Sequence, residues 1–291
     1  MALLRMPQSA KDLFTPIKQT RHGKHSVVVL AILKDTLDTD LTRRALKIHN
    51  PDRTPRITTA LIEDLRSIQN DMNHPLVKSF EYDPDLTWYA MSHARGHSVA
   101  HLLANYYLTG LPPYLVFHVL RKIAAAQQHL QDRELCHLDL QDGSNIMLYT
   151  PRLNAVPLMT LVDYAGINTY TEARDREILQ QFIGLARSMM RGEKRVPAHF
   201  RRRRSGNAFN ASELAEADEF YNLIAEWRYN GKQTVKSLWD GPEQWGLRLS
   251  AMVSELLDES LVEELTGWLS SSKVSDEEMK TIVARGGMAV V

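Results

Sequence analysis

The chain has one cysteine, Cys136, in 291 residues, so no disulfide can form within it and no cysteine-based zinc site can be assembled. The expectation is a reducing, intracellular setting: a soluble, cytoplasmic protein. Net charge is also missing, because 35 Lys plus Arg face 35 Asp plus Glu. That balance disfavours a protein built mainly to coat nucleic acid or an anionic membrane, and any electrostatic function must be local. Long apolar runs are absent too: nowhere do 18 consecutive apolar residues occur. The opening MALLRMPQSAKDLF carries too short an apolar run for a signal peptide, and Ala2 excludes myristoylation. No membrane partner is expected. There is no internal repeat, and the one biased tract is Arg201 to Arg204.

What the chain does have is a hydrophobic content of 44%, enough for one large domain or two lobes. The β-branched run Ser26 to Leu33 and the segment Ala45 to His49 read as two strands joined by a polar connection. Ile57, Leu61, Leu65, Ile68 and Met72 then fall at helical spacing, and His74-Pro75 ends that helix. Two further strands are expected around Val77 to Tyr82 and Leu86 to Met91. After Gly96 the pattern becomes mostly helical. Pro113 suits a first helical turn, and Val116, Val119, Leu120, Ile123, Ala126 and Leu130 form one stripe. A strand pair around NIMLY and LMTLVDY interrupts before helices resume from Ile178 onward.

Within this order HLDLQDGSNIML, from His137 to Leu148, followed by LVDYA, resembles the catalytic and metal-binding loops of the protein-kinase fold. The resemblance spans roughly Arg21 to Met190. It implies an α+β, two-lobed protein-kinase-like fold with a small β-rich N-lobe bearing one main helix and a large, mostly helical C-lobe. The expected boundaries are an N-terminal extension over 1–20, the N-lobe over 21–91 and the C-lobe over 92–291.

The same resemblance implies ATP and Mg2+ as cofactors, and it assigns roles residue by residue. Asp139 would be the catalytic base or hydroxyl-orienting group, while Asn145 and Asp163 would hold metal. Lys47, in Ala45-Leu46-Lys47-Ile48, would contact the phosphates. Gly23 matches the middle glycine of a reduced phosphate turn in which Arg21 and Ser26 stand at the flanking positions, and Val28 and Ala45 would pack on adenine. Met91 is the expected gatekeeper, with Ser92 to Ala94 as the hinge. The helical carboxylate that orients the lysine is expected at Asp64, since Glu63 lies about 200° around the helix from Leu61, at about 100° per residue. His93, His97 and His101 are spaced four apart, but Gly96 and the lack of a carboxylate or thiol ligand nearby argue against a zinc site.

Several positions depart from the family pattern. Asp139 and Asn145 are six apart, one more than usual, and Leu138 replaces the arginine that pairs with a phosphorylated loop. Gln141 stands where Ser/Thr kinases carry lysine. Asp163 and Asp175 are twelve positions apart with no A-P-E, which leaves no peptide-docking platform, and Asp175 is expected to open the central helix whose first aspartate braces the catalytic loop. These features favour a phosphotransferase whose acceptor, a protein or a small molecule, does not dock as an extended peptide. The alternative is a pseudokinase that binds nucleotide or partners without turnover. Arg187 to Arg204 holds eight basic residues and one acid, and Arg201–Arg204 could dock an acidic partner. Cys136 reads as a small buried hydrophobe, and Trp227, Trp239, Trp245 and Trp268 as core.

Overall fold

The computed structural model describes residues 6–22, 25–34, 43–52, 55, 57–67, 79–105, 108, 110–149, 157–202, 209–229, 233–239, 244–250 and 281. Two compact units emerge, one comprising 1–94 with 272–291 and the other 95–271.

The first unit starts with α1 (Gln8–Leu13) and β1 (Phe14–His22), followed by β2 (Ser26–Leu33), β3 (Arg43–His49), α2 (Thr59–Ser67), β4 (Ser79–Tyr82) and β5 (Trp88–Ser92). Its five strands form one sheet in the order β1-β2-β3-β5-β4, antiparallel throughout. Alternation along the strands sends Val27, Val29, Ala31, Leu46, Ile48, Trp88 and Ala90 to one face, where they pack with Met6, Ala10 and Phe14. Within the expected extension over 1–20, the described residues Met6, Ala10 and Phe14 pack into this cluster and Phe14 to Gln19 pair with β2. Ser9 accepts a 2.9 Å hydrogen bond from the Trp88 indole, and β1 is an edge strand. Pro16 hides that strand from a sequence reading, because proline lacks the donor a central ladder needs. At the edge it is tolerated, and the register shifts between Pro16 and Lys18.

The helix expected after Ile57 is present as α2, with the Thr58 hydroxyl accepting from the Leu61 amide at 3.1 Å. Its buried stripe runs through Ile62 and Leu65 together with the preceding Ile57, while Leu61 is only half-buried. With Ile62 rather than Leu61 facing the core, Glu63 and Asp64 are both exposed. Glu63 accepts from the Tyr82 hydroxyl at 2.6 Å and pairs with Arg66 at 3.1 Å. Ile68, Met72 and His74-Pro75 lie outside the described residues.

The second unit contains β6 (His97–Ser98), α3 (Val99–Asn105), α4 (Pro113–Gln131), β7 (Leu135–His137), β8 (Ile146–Tyr149), β9 (Leu158–Leu161), β10 (Ile167–Thr169), α5 (Asp175–Met190), α6 (Ala211–Glu226), α7 (Val235–Trp239) and α8 (Trp245–Arg248). Its core is aromatic. Phe220 sits edge-on to Phe117, Trp239 and Trp245 at ring-centroid distances of 5.6, 5.8 and 5.3 Å. Trp227, Trp239 and Trp245 are buried as expected, and Trp268 lies outside the described residues. α6 begins with a full capping box between Asn210 and Glu213. Of the three spaced histidines, His93 precedes β6, His97 lies on β6 and only His101 is helical.

Candidate active site

The loop between β7 and β8 carries the chemistry, and it is irregular backbone held by side chains. Gln127, buried within the apolar stripe of α4, brackets His137 by donating to its carbonyl at 2.7 Å and accepting from its amide at 3.2 Å. The His137 ring accepts from the Asp139 amide through Nδ1 at 3.3 Å, so its proton sits on Nε2, which donates to the Val162 carbonyl at 3.2 Å. Complete burial pushes the His137 pKa down and keeps the ring neutral. One imidazole thus ties Asp139 to the strand end that leads into Asp163.

Asp139 is exposed, and it is aimed by Asn145, whose Nδ2 donates to both the Asp139 carbonyl and its Oδ2 at 2.9 Å. The extra residue in the loop is taken up by a turn at Gly143. This glycine has φ +71°, and a Cβ there would lie 2.8 Å from the Val99 side chain. Asp142 accepts from the Ser144 amide at 2.7 Å inside that turn, so the six-residue spacing still returns Asn145 to Asp139.

Antiparallel pairing of Ile146 with Leu161, and a 2.9 Å bond from the Val162 amide to the Asn145 carbonyl, set Asn145 beside the residue preceding Asp163. Asp163 adopts φ 73° and ψ 84°, left-handed backbone that is costly for a non-glycine residue, and its Oδ1 accepts from the Ala165 amide at 3.0 Å. Asn145 is 1% exposed, and its Oδ1 has no hydrogen-bond partner. A buried carbonyl oxygen left unsatisfied costs roughly 1–3 kcal/mol, and the penalty is lifted by a hard cation, which takes oxygen ligands. The donor set of Asn145 and Asp163 therefore fits Mg2+. Among the described residues no group of three or more His, Cys, Asp or Glu side chains forms a separate metal cluster.

From Asp163 to Asp175 the chain makes a short 3-10 turn, β10 and a second 3-10 turn, and then enters α5 directly. Tyr170 fastens this segment: its amide bonds to the Glu134 carbonyl at 2.6 Å and its hydroxyl donates to Asp175 at 3.0 Å. Burial, followed by that bond, pushes the Tyr170 pKa up to about 12. Asp175 is thus engaged with Tyr170. The brace on the catalytic loop is Gln181, a turn and a half further along α5, whose Oε1 accepts from the Leu140 and Gln141 amides at 3.3 and 3.0 Å. Sequence reading missed both glutamines. Gln127 left a trace, a polar residue within an apolar helical stripe; Gln181 left none. Cys136 is buried, and burial pushes its thiol up to about 11, as expected of an inert residue.

In the first unit, the β2–β3 and β3–β5 registers place Val28, Ala45, Lys47 and Met91 on the sheet face opposite the apolar cluster. Lys47 is 6% exposed on a central strand. Ser92 ends β5 opposite Arg44, and Ala94 is the last residue before the chain enters the second unit. Gly23 lies outside the described residues. In the basic stretch, the Arg201 Nη2 donates to both Asp218 carboxylate oxygens at 2.9 and 3.1 Å, Lys194 pairs with Glu226, and Arg187 caps the end of α6. Arg201 is therefore structural rather than free to dock an acidic partner. Arg203 and Arg204 lie outside the described residues.

No protein-family model and no curated protein matches the chain. Solved structures do. The Rad53 kinase domain with SCD2 aligns with a TM-score of 0.52 at 15% identity, covering 79% of this chain and 94% of that one. A double mutant of the Mycobacterium tuberculosis PknI kinase domain aligns at 0.50 and 14%, covering 82% and 95%. A single mutant of the same domain aligns at 0.50 and 15%, covering 82% and 95%. At such identities the likeness is one of fold. The chain has the α+β protein-kinase-like fold, with a β-sheet unit first and a helical unit after it. No helix among the described residues is long and apolar enough to cross a membrane.

Proposed function

We propose that the protein is an ATP- and Mg2+-dependent phosphotransferase acting on a hydroxyl group. The observation that carries this reading is the Asp139–Asn145 pair: an exposed carboxylate aimed by an amide whose own carbonyl oxygen is buried and unpartnered. Such an oxygen beside Asp163 is what a metal-phosphate ligand set requires. Held by Asn145 and Asp163, Mg2+ would supply positive charge to offset that of the phosphates. The residues then divide the work. Asn145 and Asp163 hold the metal, Asp139 orients the acceptor hydroxyl and receives its proton, and Lys47 contacts the phosphates. Val28, Ala45 and Met91 line the adenine, and the backbone of Ser92 to Ala94 receives its edge.

The test is thermal unfolding with ATP and Mg2+, followed by transfer of radiolabelled phosphate from ATP to a lysate or metabolite mixture. Stabilisation of the wild type that is lost in Lys47→Ala and Asp163→Asn is expected, together with label incorporation abolished by Asp139→Asn. A wild type indifferent to ATP and Mg2+ overturns the proposal.

One observation favours a second reading, a pseudokinase that binds nucleotide without turnover. Gln141, where a phosphate-neutralising lysine would stand, packs its side chain on α5, so that a Cβ at Gly184 would lie 2.7 Å from the Gln141 Cγ. Nucleotide-dependent stabilisation without transfer to any acceptor would select it.

A further inference from the structure

β10 runs back against β7 and brings the turn after Asp163 onto the catalytic loop. Ile167 pairs with His137, Asn168 with Cys136 and Thr169 with Leu135. One step beyond that ladder, the Gly166 carbonyl accepts from the Leu138 amide at 2.8 Å and from the Asn168 side chain at 3.1 Å. On its other side the Gly166 amide donates to the Asp163 carbonyl at 3.0 Å. Gly166 thus bonds to the backbone of both arms of the site, to Leu138 just ahead of Asp139 and to Asp163 itself.

Glycine is not required here by backbone conformation. Gly143 needs its left-handed φ, whereas Gly166 lies outside that region. What excludes a side chain is contact. A Cβ at Gly166 would lie 2.6 Å from His137 Cε1, 3.0 Å from Asp139 Cβ and 3.1 Å from His137 Nδ1. Carbon atoms in good contact sit about 3.5–4.0 Å apart, so the neighbours would have to move. The imidazole is 0% exposed and bonded at both nitrogens, to the Asp139 amide and the Val162 carbonyl, so it cannot swing aside without breaking a bond. These three nearest atoms belong to His137 and Asp139 and none to Asp163. The push of an added methyl therefore falls on the carboxylate arm.

We propose that Gly166 is a positioning residue: its missing side chain lets His137 and Asp139 close onto the turn after Asp163, and so sets where the Asp139 carboxylate stands relative to Asp163. The proposal deepens the phosphotransferase reading and rests on it for its rate measurement. In that reading Asp139 acts on the acceptor hydroxyl and Asp163 on the nucleotide side, so their spacing decides how acceptor and phosphate meet. A shift of the Asp139 arm alone leaves nucleotide binding intact and lowers turnover.

The test compares the full-length wild type, Gly166→Ala, His137→Ala and the double variant. ADP release with a metabolite mixture as acceptor gives the rate at saturating MgATP, and its MgATP dependence gives KM. Gly166→Ala should lower the rate by more than about tenfold, toward the roughly hundredfold that a misplacement of about 1 Å can cost, with KM for MgATP unchanged. With the ring removed the methyl has room, so adding Gly166→Ala to His137→Ala should cost less than about threefold. Equal losses on both backgrounds, or a raised KM at unchanged maximal rate, overturn the proposal. Failure of Gly166→Ala to fold overturns it as well, since the glycine would then serve the fold and not the site. A readout independent of turnover is the two-bond proton–nitrogen spectrum of the imidazoles, in which His137 is identified by its loss in His137→Ala. Its Nδ1 signal should move in Gly166→Ala as the bond from the Asp139 amide weakens; an unmoved signal overturns the proposal. The two readings fail separately. If no acceptor elicits ADP release from the wild type, the phosphotransferase reading falls and the His137 signal alone decides the role of Gly166. If ADP release occurs and Gly166→Ala leaves it unchanged, the positioning role falls and the reaction stands.

Discussion

Lys47 and Asp139 are placed by opposite devices. Lys47 sits on β3 between two hydrogen-bonded neighbours, so its direction follows from strand alternation and its position from ladder register. Asp139 sits on backbone with no such ladder, and its position follows from single bonds made by His137, Asn145 and, one residue on, Gln181. A ladder distributes the load over many bonds. A braced loop concentrates it in a few side chains that contribute little to the core. Substitutions in the sheet should therefore cost stability first and function as a consequence, whereas substitutions in the loop braces should cost function first.

The largest expected effect breaks the comparison most directly. Asp139→Asn should lower phosphate transfer by about 10²–10⁴-fold, the range for losing a positioned acid–base group. Its melting temperature should stay near wild type, since Asp139 is exposed. Loss of folding in this variant would show that the loop is part of the core. At the other pole, Leu46→Ala, on β3 with 0% exposure, should destabilise by about 2–5 kcal/mol in denaturant unfolding. MgATP affinity should then fall only as far as the folded fraction does.

Acid titration sharpens the contrast within the helical unit. His118 is buried, its Nε2 lies 2.9 Å from the Pro157 carbonyl, and burial lowers its pKa to about 4. The unfolded chain takes up this proton near pH 6.5 and the folded chain only near pH 4. Stability should therefore fall as pH drops from about 6.5 to about 4, by roughly 3 kcal/mol in all, and level off below that. Neutral, buried His137 adds in the same direction. His118→Gln should flatten the curve; an unchanged curve would place the pH dependence elsewhere.

The smallest stability effect is the most diagnostic. Gln181→Ala leaves the Leu140 and Gln141 amides without their acceptor, at a cost of about 1–3 kcal/mol if water does not replace it. Transfer should fall by a larger factor than the change in folding equilibrium, with KM for ATP nearly constant, because the brace orients Asp139 and touches no nucleotide. Equal losses in stability and activity would make Gln181 an ordinary packing residue.

Much of this was legible in the sequence, and for identifiable reasons. Strand runs such as Ser26 to Leu33 and stripes such as Val116 to Leu130 are local patterns, so β2 and α4 could be read within a few residues. The loop that carries His137, Asp139 and Asn145, and the strand end before Asp163, could be located because the motif resembling the protein-kinase fold sits between a long helical stripe and a strand pair in one order along the chain. Other features were hidden. β1 escaped because Pro16 marks it as non-strand unless it is known to lie on an edge. In α2 the buried stripe takes in Ile57 and Leu65 as expected but Ile62 in place of Leu61, a difference of one position that hydrophobic spacing alone does not resolve. Gln127 showed only as a polar residue in an apolar stripe, and Gln181 and the internal role of Arg201 left no trace, because each acts on backbone or a carboxylate 10 or more positions away.

By itself, then, the sequence determined the order of elements, the absence of an intrachain disulfide and the candidate site residues, since periodicity, cysteine count and motif spacing are properties of the chain. Only tertiary structure decided that Gly143 absorbs the added loop residue, that Gln181 rather than Asp175 grips the loop, and that Arg201 is tied to Asp218. Those outcomes depend on which side chains meet across the fold, and such meetings are set by packing and not by distance along the chain.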